Sequence, residues 1–110
     1  METEILKESN AVIWQLQEEL EDPTQLNEPI KEFKTLGLKT VMLDLLDKEW
    51  LSSSEIGVVM WIFKELDGAG ADLCLLAISP FVLKTIKVTG IDQLLPVFDS
   101  REEALESINS

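Results

Sequence analysis

The chain has 110 residues and a formal net charge of −12, from 21 acidic and 9 basic residues. That balance argues against binding to nucleic acid or to an anionic membrane surface, because both need a basic patch on the protein. The sequence contains no histidine and a single cysteine, which excludes histidine-based catalysis and histidine or thiolate metal sites, and no cofactor is expected.

The first half of the chain predicts a hairpin followed by a helix. Residues 10–16 are rich in β-forming residues, and residues 3–7 are a weaker candidate for a strand that pairs with them. Two helix starts compete, at Asp22-Pro23 and at Asn27. Pro29 favours the later start because proline is tolerated in the first helical turn, and Gly37 would end the helix. The residues expected to face the core are Ile30, Phe33 and Leu36.

The second half of the chain alternates strands and helices. Residues 40–46 and 73–78 are nearly all apolar, which is typical of central strands that are covered on both faces. The helix between them starts in a serine-rich turn and extends to about Leu66. Its predicted apolar stripe is Ile56, Val59, Met60, Phe63 and Leu66. The remaining elements are a helix opened by Ser79-Pro80 that includes Phe81, Ile86 and Val88, a short strand over 94–98, and a terminal helix with a capping box at 100–103.

This order of elements predicts an α/β fold with a mixed, mostly parallel sheet and about four helices packed around it. No repeat or linker divides the chain, so we expect a single domain over residues 1–110. No stretch of ~20 apolar residues is present, and residues 1–7 lack the apolar run of a signal peptide. Cys74 has no second cysteine to pair with. Together these features predict a cytoplasmic protein without a membrane-inserted segment.

Four segments, taken in their order and spacing, resemble the STAS family, which is named for sulphate transporters and anti-sigma factor antagonists. The segments are the strand Val41-Met42-Leu43-Asp44-Leu45, the turn Trp50-Leu51-Ser52-Ser53-Ser54-Glu55-Ile56-Gly57, the strand entry Gly70-Ala71-Asp72-Leu73, and the ending that runs from Gly90-Ile91-Asp92 through Phe98 to Ser100-Arg101-Glu102-Glu103-Ala104-Leu105. The resemblance covers essentially the whole chain and implies a STAS-like form of the predicted α/β fold.

The resemblance also implies a function. In antagonist members of the family, an anti-sigma factor that is a serine kinase phosphorylates a serine of the turn. The unphosphorylated antagonist captures the kinase, and the phosphorylated form releases it. By position, the acceptor falls on Ser54, with Ser53 beside it. We therefore expect a regulatory protein-binding module and not an enzyme, with such a kinase as its partner. The alternative is a non-phosphorylated STAS scaffold or accessory subunit of a larger signalling or transport assembly.

The turn departs from the family pattern at two positions, where Ser52 replaces an aspartate and Glu55 replaces a glycine. Both replacements suit a helix start, because Ser52-x-x-Glu55 is a capping box. The serines therefore have two interpretations, as helix caps or as a phosphorylation switch at a helix end that favours phosphate. Glu55 next to Ser54 suggests the hypothesis that its charge slows phosphorylation or prevents it. A family glycine after the early strand is also replaced, near Glu18.

The second helix carries apolar residues outside its predicted stripe. Either this helix is buried on nearly all sides, or these residues form an exposed patch for a partner. Trp50, just before the serine turn, could extend such a patch. The candidate partner-binding residues are Trp50, Val58, Trp61 and Ile62. The acidity of the chain either keeps it soluble or steers it towards a basic partner.

Overall fold

Among the described residues, five strands form one sheet in the order in which they occur in the chain. This computed structural model describes residues 1–16 and 22–109, so Glu18 lies outside the described residues. The strands are β1 (Glu2–Leu6), β2 (Ala11–Gln15), β3 (Thr40–Asp44), β4 (Asp72–Leu76) and β5 (Val97–Phe98). β1 and β2 form an antiparallel hairpin, and β2 to β5 run parallel. The predicted hairpin and the predicted mixed, mostly parallel sheet are therefore confirmed.

In the part of the chain that the structure describes, four α-helices flank this sheet, namely α1 (Asn27–Thr35), α2 (Ser53–Gly68), α3 (Pro80–Thr89) and α4 (Arg101–Asn109). Because side chains of a strand alternate between its two faces, each central strand contributes to two apolar cores. Val41 and Leu43 face the larger core with α1, α2 and α3, whereas Met42 faces a smaller core that includes Ala104 of α4. Coverage on both faces explains why the central strands are apolar along nearly their whole length.

Both helix-start signals after β2 are used. Asp22 accepts a hydrogen bond from the backbone N–H of Thr24 at 3.0 Å and opens a short 3₁₀ turn, and this bond lowers the pKa of the Asp22 carboxyl group. The α-helix itself begins at Asn27, which confirms the later start, but Asn27 is its first residue and not its cap as predicted, because Leu26 holds the N-cap position. The prediction that Leu36 faces the core is wrong, because the helix ends at Thr35 and Leu36 lies beyond its last turn, where it is 45% exposed.

The buried face of α2 differs from the predicted stripe. Its buried residues are Glu55, Val58, Val59, Ile62 and Leu66, and the predicted members Ile56, Met60 and Phe63 are only partly buried. Which side of α2 faces the sheet could not be predicted from the sequence, because a helix that is apolar on nearly all sides has no clear polar face to mark its exposed side. Within the described residues, no helix is long and apolar enough to cross a lipid bilayer.

Cys74 lies in β4 and faces the smaller core. Burial, and to a lesser extent the charge of Asp72, raise the pKa of its thiol to about 12. The thiol is therefore protonated at neutral pH and is a poor nucleophile. Its place in the structure is that of a small core residue.

An ion pair joins α4 to the carboxyl end of β3. Arg101 donates to one carboxylate oxygen of Asp44 through Nε at 3.2 Å and through Nη2 at 3.0 Å. The other oxygen of Asp44 accepts the backbone N–H of Leu46 at 2.9 Å. Asp44 is only 2% exposed, whereas Glu4, which Arg101 also contacts, is 57% exposed. The pair with Asp44 therefore holds a buried charge, and the pair with Glu4 lies at the surface.

Replacing Arg101 with alanine is expected to lower the free energy of unfolding by about 2 to 3 kcal/mol, because it leaves the buried Asp44 carboxylate without its cation. Urea unfolding followed by circular dichroism measures this change. The control is Glu4→Gln, which removes only the surface pair and should cost less than about 1 kcal/mol. Equal, small losses in both variants would show that Asp44 is stabilised without Arg101.

Candidate functional site

Two loops meet at the edge of the sheet where the parallel strands end. One loop runs from the end of β3 to the start of α2 and carries residues 45–52, and the other runs from the end of β4 to α3 and carries residues 77–79. The two are joined by a hydrogen bond from the Ser79 hydroxyl to the backbone oxygen of Glu49. In open α/β sheets this edge is the usual place for a functional site.

The predicted capping box at the start of α2 is confirmed. The hydroxyl oxygen of Ser52 accepts the backbone N–H of Glu55 at 3.1 Å, and Glu55 Oε1 accepts the backbone N–H of Ser52 at 3.1 Å. Glu55 is buried, and its second oxygen, Oε2, forms an ion pair with the ammonium group of Lys48. No sequence pattern predicts this pair, because Lys48 lies in the loop and not on the same helix as Glu55, seven residues further on.

Ser53 and Ser54 are the first two residues of α2, and both are exposed. Their backbone N–H groups lie in the first turn, where a helix supplies no acceptor of its own. The positive end of the helix dipole favours an anion at this place. Glu55 directs its carboxylate inwards to Lys48, so part of its charge is offset. Both serines therefore lie at the surface, at a helix end that suits phosphate.

The structure corrects two of the candidate partner-binding residues. Val58 and Ile62 are buried in the larger core and cannot form part of an exposed patch. Trp61 is partly buried and lines a shallow groove with residues of α1, including Lys31 and Lys34. For Val58 and Ile62, the interpretation that α2 is deeply buried was the right one, since that helix packs against the middle of the sheet.

A different exposed apolar surface lies beside the serine turn. Trp50, Ile78 and Phe81 are 62%, 54% and 70% exposed, and each lies within two residues of the Ser79–Glu49 hydrogen bond. We call these three residues the apolar corner. Large apolar side chains exposed together are typical of protein-binding surfaces, and aromatic residues are frequent among those that dominate binding energy.

Sequence reasoning found only one member of the apolar corner, Trp50. The sequence pattern predicts Ile78 in a buried strand and places Phe81 among the apolar residues of the third helix. The helical phase carried a usable signal, because Val82 and Ile86 are four residues apart and form the buried stripe of α3. Phe81 lies outside that stripe, in the first turn after Pro80. Two exposed acids, Asp47 and Glu49, precede Trp50 in the loop.

Comparisons with known proteins agree on one family. A family model described as the STAS domain matches residues 4–104 of this chain. A Thermotoga neapolitana protein, provisionally named as a homologue of an anti-sigma factor antagonist, is 29% identical over 77 residues, which are 70% of this chain and 68% of that protein.

Solved structures show the same fold. The crystal structure of a Thermotoga maritima protein, also provisionally named an anti-sigma factor antagonist, matches with a TM-score of 0.77 at 22% identity, covering 99% of this chain and 94% of that chain. The Bacillus protein SpoIIAA in its phosphorylated form matches with a TM-score of 0.70 at 22% identity, covering 97% of both chains.

Proposed function

The chain belongs to the STAS domain family, and from that premise we propose that it is a cytoplasmic regulatory module that binds an anti-sigma factor serine kinase. The observation that carries the proposal is the apolar corner, an exposed surface of Trp50, Ile78 and Phe81 beside the exposed serines of α2. The corner would supply binding energy, and the serines would supply a switch. The relatives named as anti-sigma factor antagonists support this assignment.

The proposed switch acts at Ser54. Its hydroxyl oxygen would attack the γ-phosphorus of ATP held by the kinase, the bond to ADP would break so that ADP leaves, and the hydroxyl proton would pass to a basic group of the kinase or to water. The product would carry about −1.5 to −2 charges at the edge of the docking surface. The added charge and bulk at this place would alter the fit of the bound partner. The hypothesis that Glu55 slows this reaction stays a prediction, and the Lys48 ion pair reduces the repulsion on which it depends.

A second candidate function is a scaffold that binds its partner without phosphorylation. The observation in its favour is the departure at Ser52 and Glu55, where side chains already occupy two of the N-terminal backbone groups of α2. Both candidates use the apolar corner for binding. They differ in whether phosphate transfer follows.

Titration calorimetry with purified serine-kinase anti-sigma factors of the source organism tests the proposal. We expect the unmodified chain to bind one of them with a Kd of about 1 μM or tighter, as is usual for a specific protein complex. Mass spectrometry after addition of ATP then distinguishes the candidates, because the antagonist gains a phosphate and the scaffold does not. If none of these kinases binds, the kinase-partner proposal is wrong.

A further inference from the structure

Glu55 closes the loop that carries Trp50. Its Oε1 accepts the backbone N–H of Ser52, and its Oε2 pairs with Lys48. A single buried carboxylate therefore contacts both ends of the segment 48–52. Inside that segment Leu51 is buried, whereas Trp50 is exposed. The loop thus has a fixed base and presents an aromatic side chain at its outer surface.

We propose that Glu55 is a positioning residue for partner binding, which acts by holding Trp50 in the conformation that the partner recognises. This proposal rests on the proposed function, because it takes the apolar corner as the docking surface. The family pattern has a glycine at this position, and a glycine has no side chain that could hold the loop in this way.

The physical basis is preorganisation. A free loop loses conformational entropy when a partner orders it, and that loss reduces affinity. Here the ordering is already present in the unbound protein, through the two contacts of Glu55 and the Ser79–Glu49 hydrogen bond. Because Glu55 is buried with both oxygens engaged, its contacts are screened by solvent less than those of a surface pair. The base of the loop is therefore held more firmly than a surface ion pair would hold it.

The binding test is a double-mutant cycle between Glu55 and Trp50. Glu55→Gly is expected to weaken binding of the kinase about tenfold, and Glu55→Gln, which retains an oxygen to accept the Ser52 N–H, should lose less. In a Trp50→Ala background, Glu55→Gly should cost almost nothing further, because the residue it positions is absent. Equal losses in both backgrounds would show that Glu55 does not act through Trp50, and would overturn the proposal.

A second measurement needs no partner. The ¹⁵N relaxation of the Trp50 indole N–H reports the mobility of this side chain, and its order parameter should fall in Glu55→Gly. The control is Glu65→Ala, which removes an exposed acid from the same helix and should leave the Trp50 order parameter unchanged. An unchanged Trp50 order parameter in Glu55→Gly overturns the proposal even if the kinase binds. If no kinase binds but the order parameter falls, the positioning role stands and the proposed partner is wrong.

Discussion

Ser54→Ala is expected to reduce phosphate transfer from the cognate kinase to the level of a control without kinase. The reason is chemical, because alanine has no hydroxyl group to attack the γ-phosphorus. Ser54 combines exposure with a place in the first turn of α2, where the helix dipole and free backbone N–H groups favour a phosphate. The measurement is intact-protein mass spectrometry after incubation with the kinase and ATP, with fragmentation to locate the phosphate.

The matched control for this prediction is Ser53→Ala. Ser53 is exposed in the same turn, and its loss should leave most of the transfer in place. Either of two results would refute the assignment of Ser54 as the phosphorylated residue. One is that the phosphate appears on a serine outside this turn, such as Ser79. The other is that Ser53→Ala removes the modification and Ser54→Ala does not.

Trp50→Ala and Phe81→Ala are each expected to weaken binding of the kinase by about 2 to 4 kcal/mol, which corresponds to a loss of about 30- to 1,000-fold in affinity. Both are large aromatic residues that are more than half exposed in the unbound protein. A partner that covers them would bury the part of each aromatic side chain that is exposed in the unbound protein. Since neither side chain contributes much to the core, the fold should remain intact, and circular dichroism checks this.

Leu36→Ala is the control for the apolar corner. Leu36 is an exposed apolar residue at the end of α1, and that helix leads into the start of β3, at the opposite edge of the sheet from Trp50. Its replacement should change the affinity for the kinase by less than twofold. If Leu36→Ala weakens binding as much as Phe81→Ala, the partner uses a different surface or the effect reflects general destabilisation.

Much of the fold could be predicted from the sequence because local signals and the global pattern agreed. Pro29 and Gly37 limited the first helix, and two apolar runs identified the central strands. The capping box at Ser52 and Glu55 was predicted in full and is present. Strand ends were less certain, since β5 has only two residues and is preceded by a short 3₁₀ turn.

The composition of the functional surface was harder to predict. Whether an apolar residue of a helix is buried depends on which side of the helix faces the sheet. The sequence of α2 has no clear polar face that would indicate this side. Val58 and Ile62 therefore appeared as surface candidates although they lie in the core.

The sequence predicts Ile78 in a buried strand, but β4 ends at Leu76 and Ile78 lies in the following loop, where it is exposed. Phe81 is exposed because it lies outside the buried stripe of α3. The Ser79–Glu49 hydrogen bond, which joins the two loops, has no signal in the sequence. Contacts between loops leave no periodic pattern in a sequence.

The most direct test of the central claim is to map the surface that the kinase covers. In a titration of the ¹⁵N-labelled chain with the kinase, chemical shift changes and line broadening report which residues contact the partner. The account predicts that the largest changes occur at residues 48–54 and 78–82, which carry the apolar corner and the serine turn. Changes confined to β1 and α1, with the apolar corner unaffected, would contradict it.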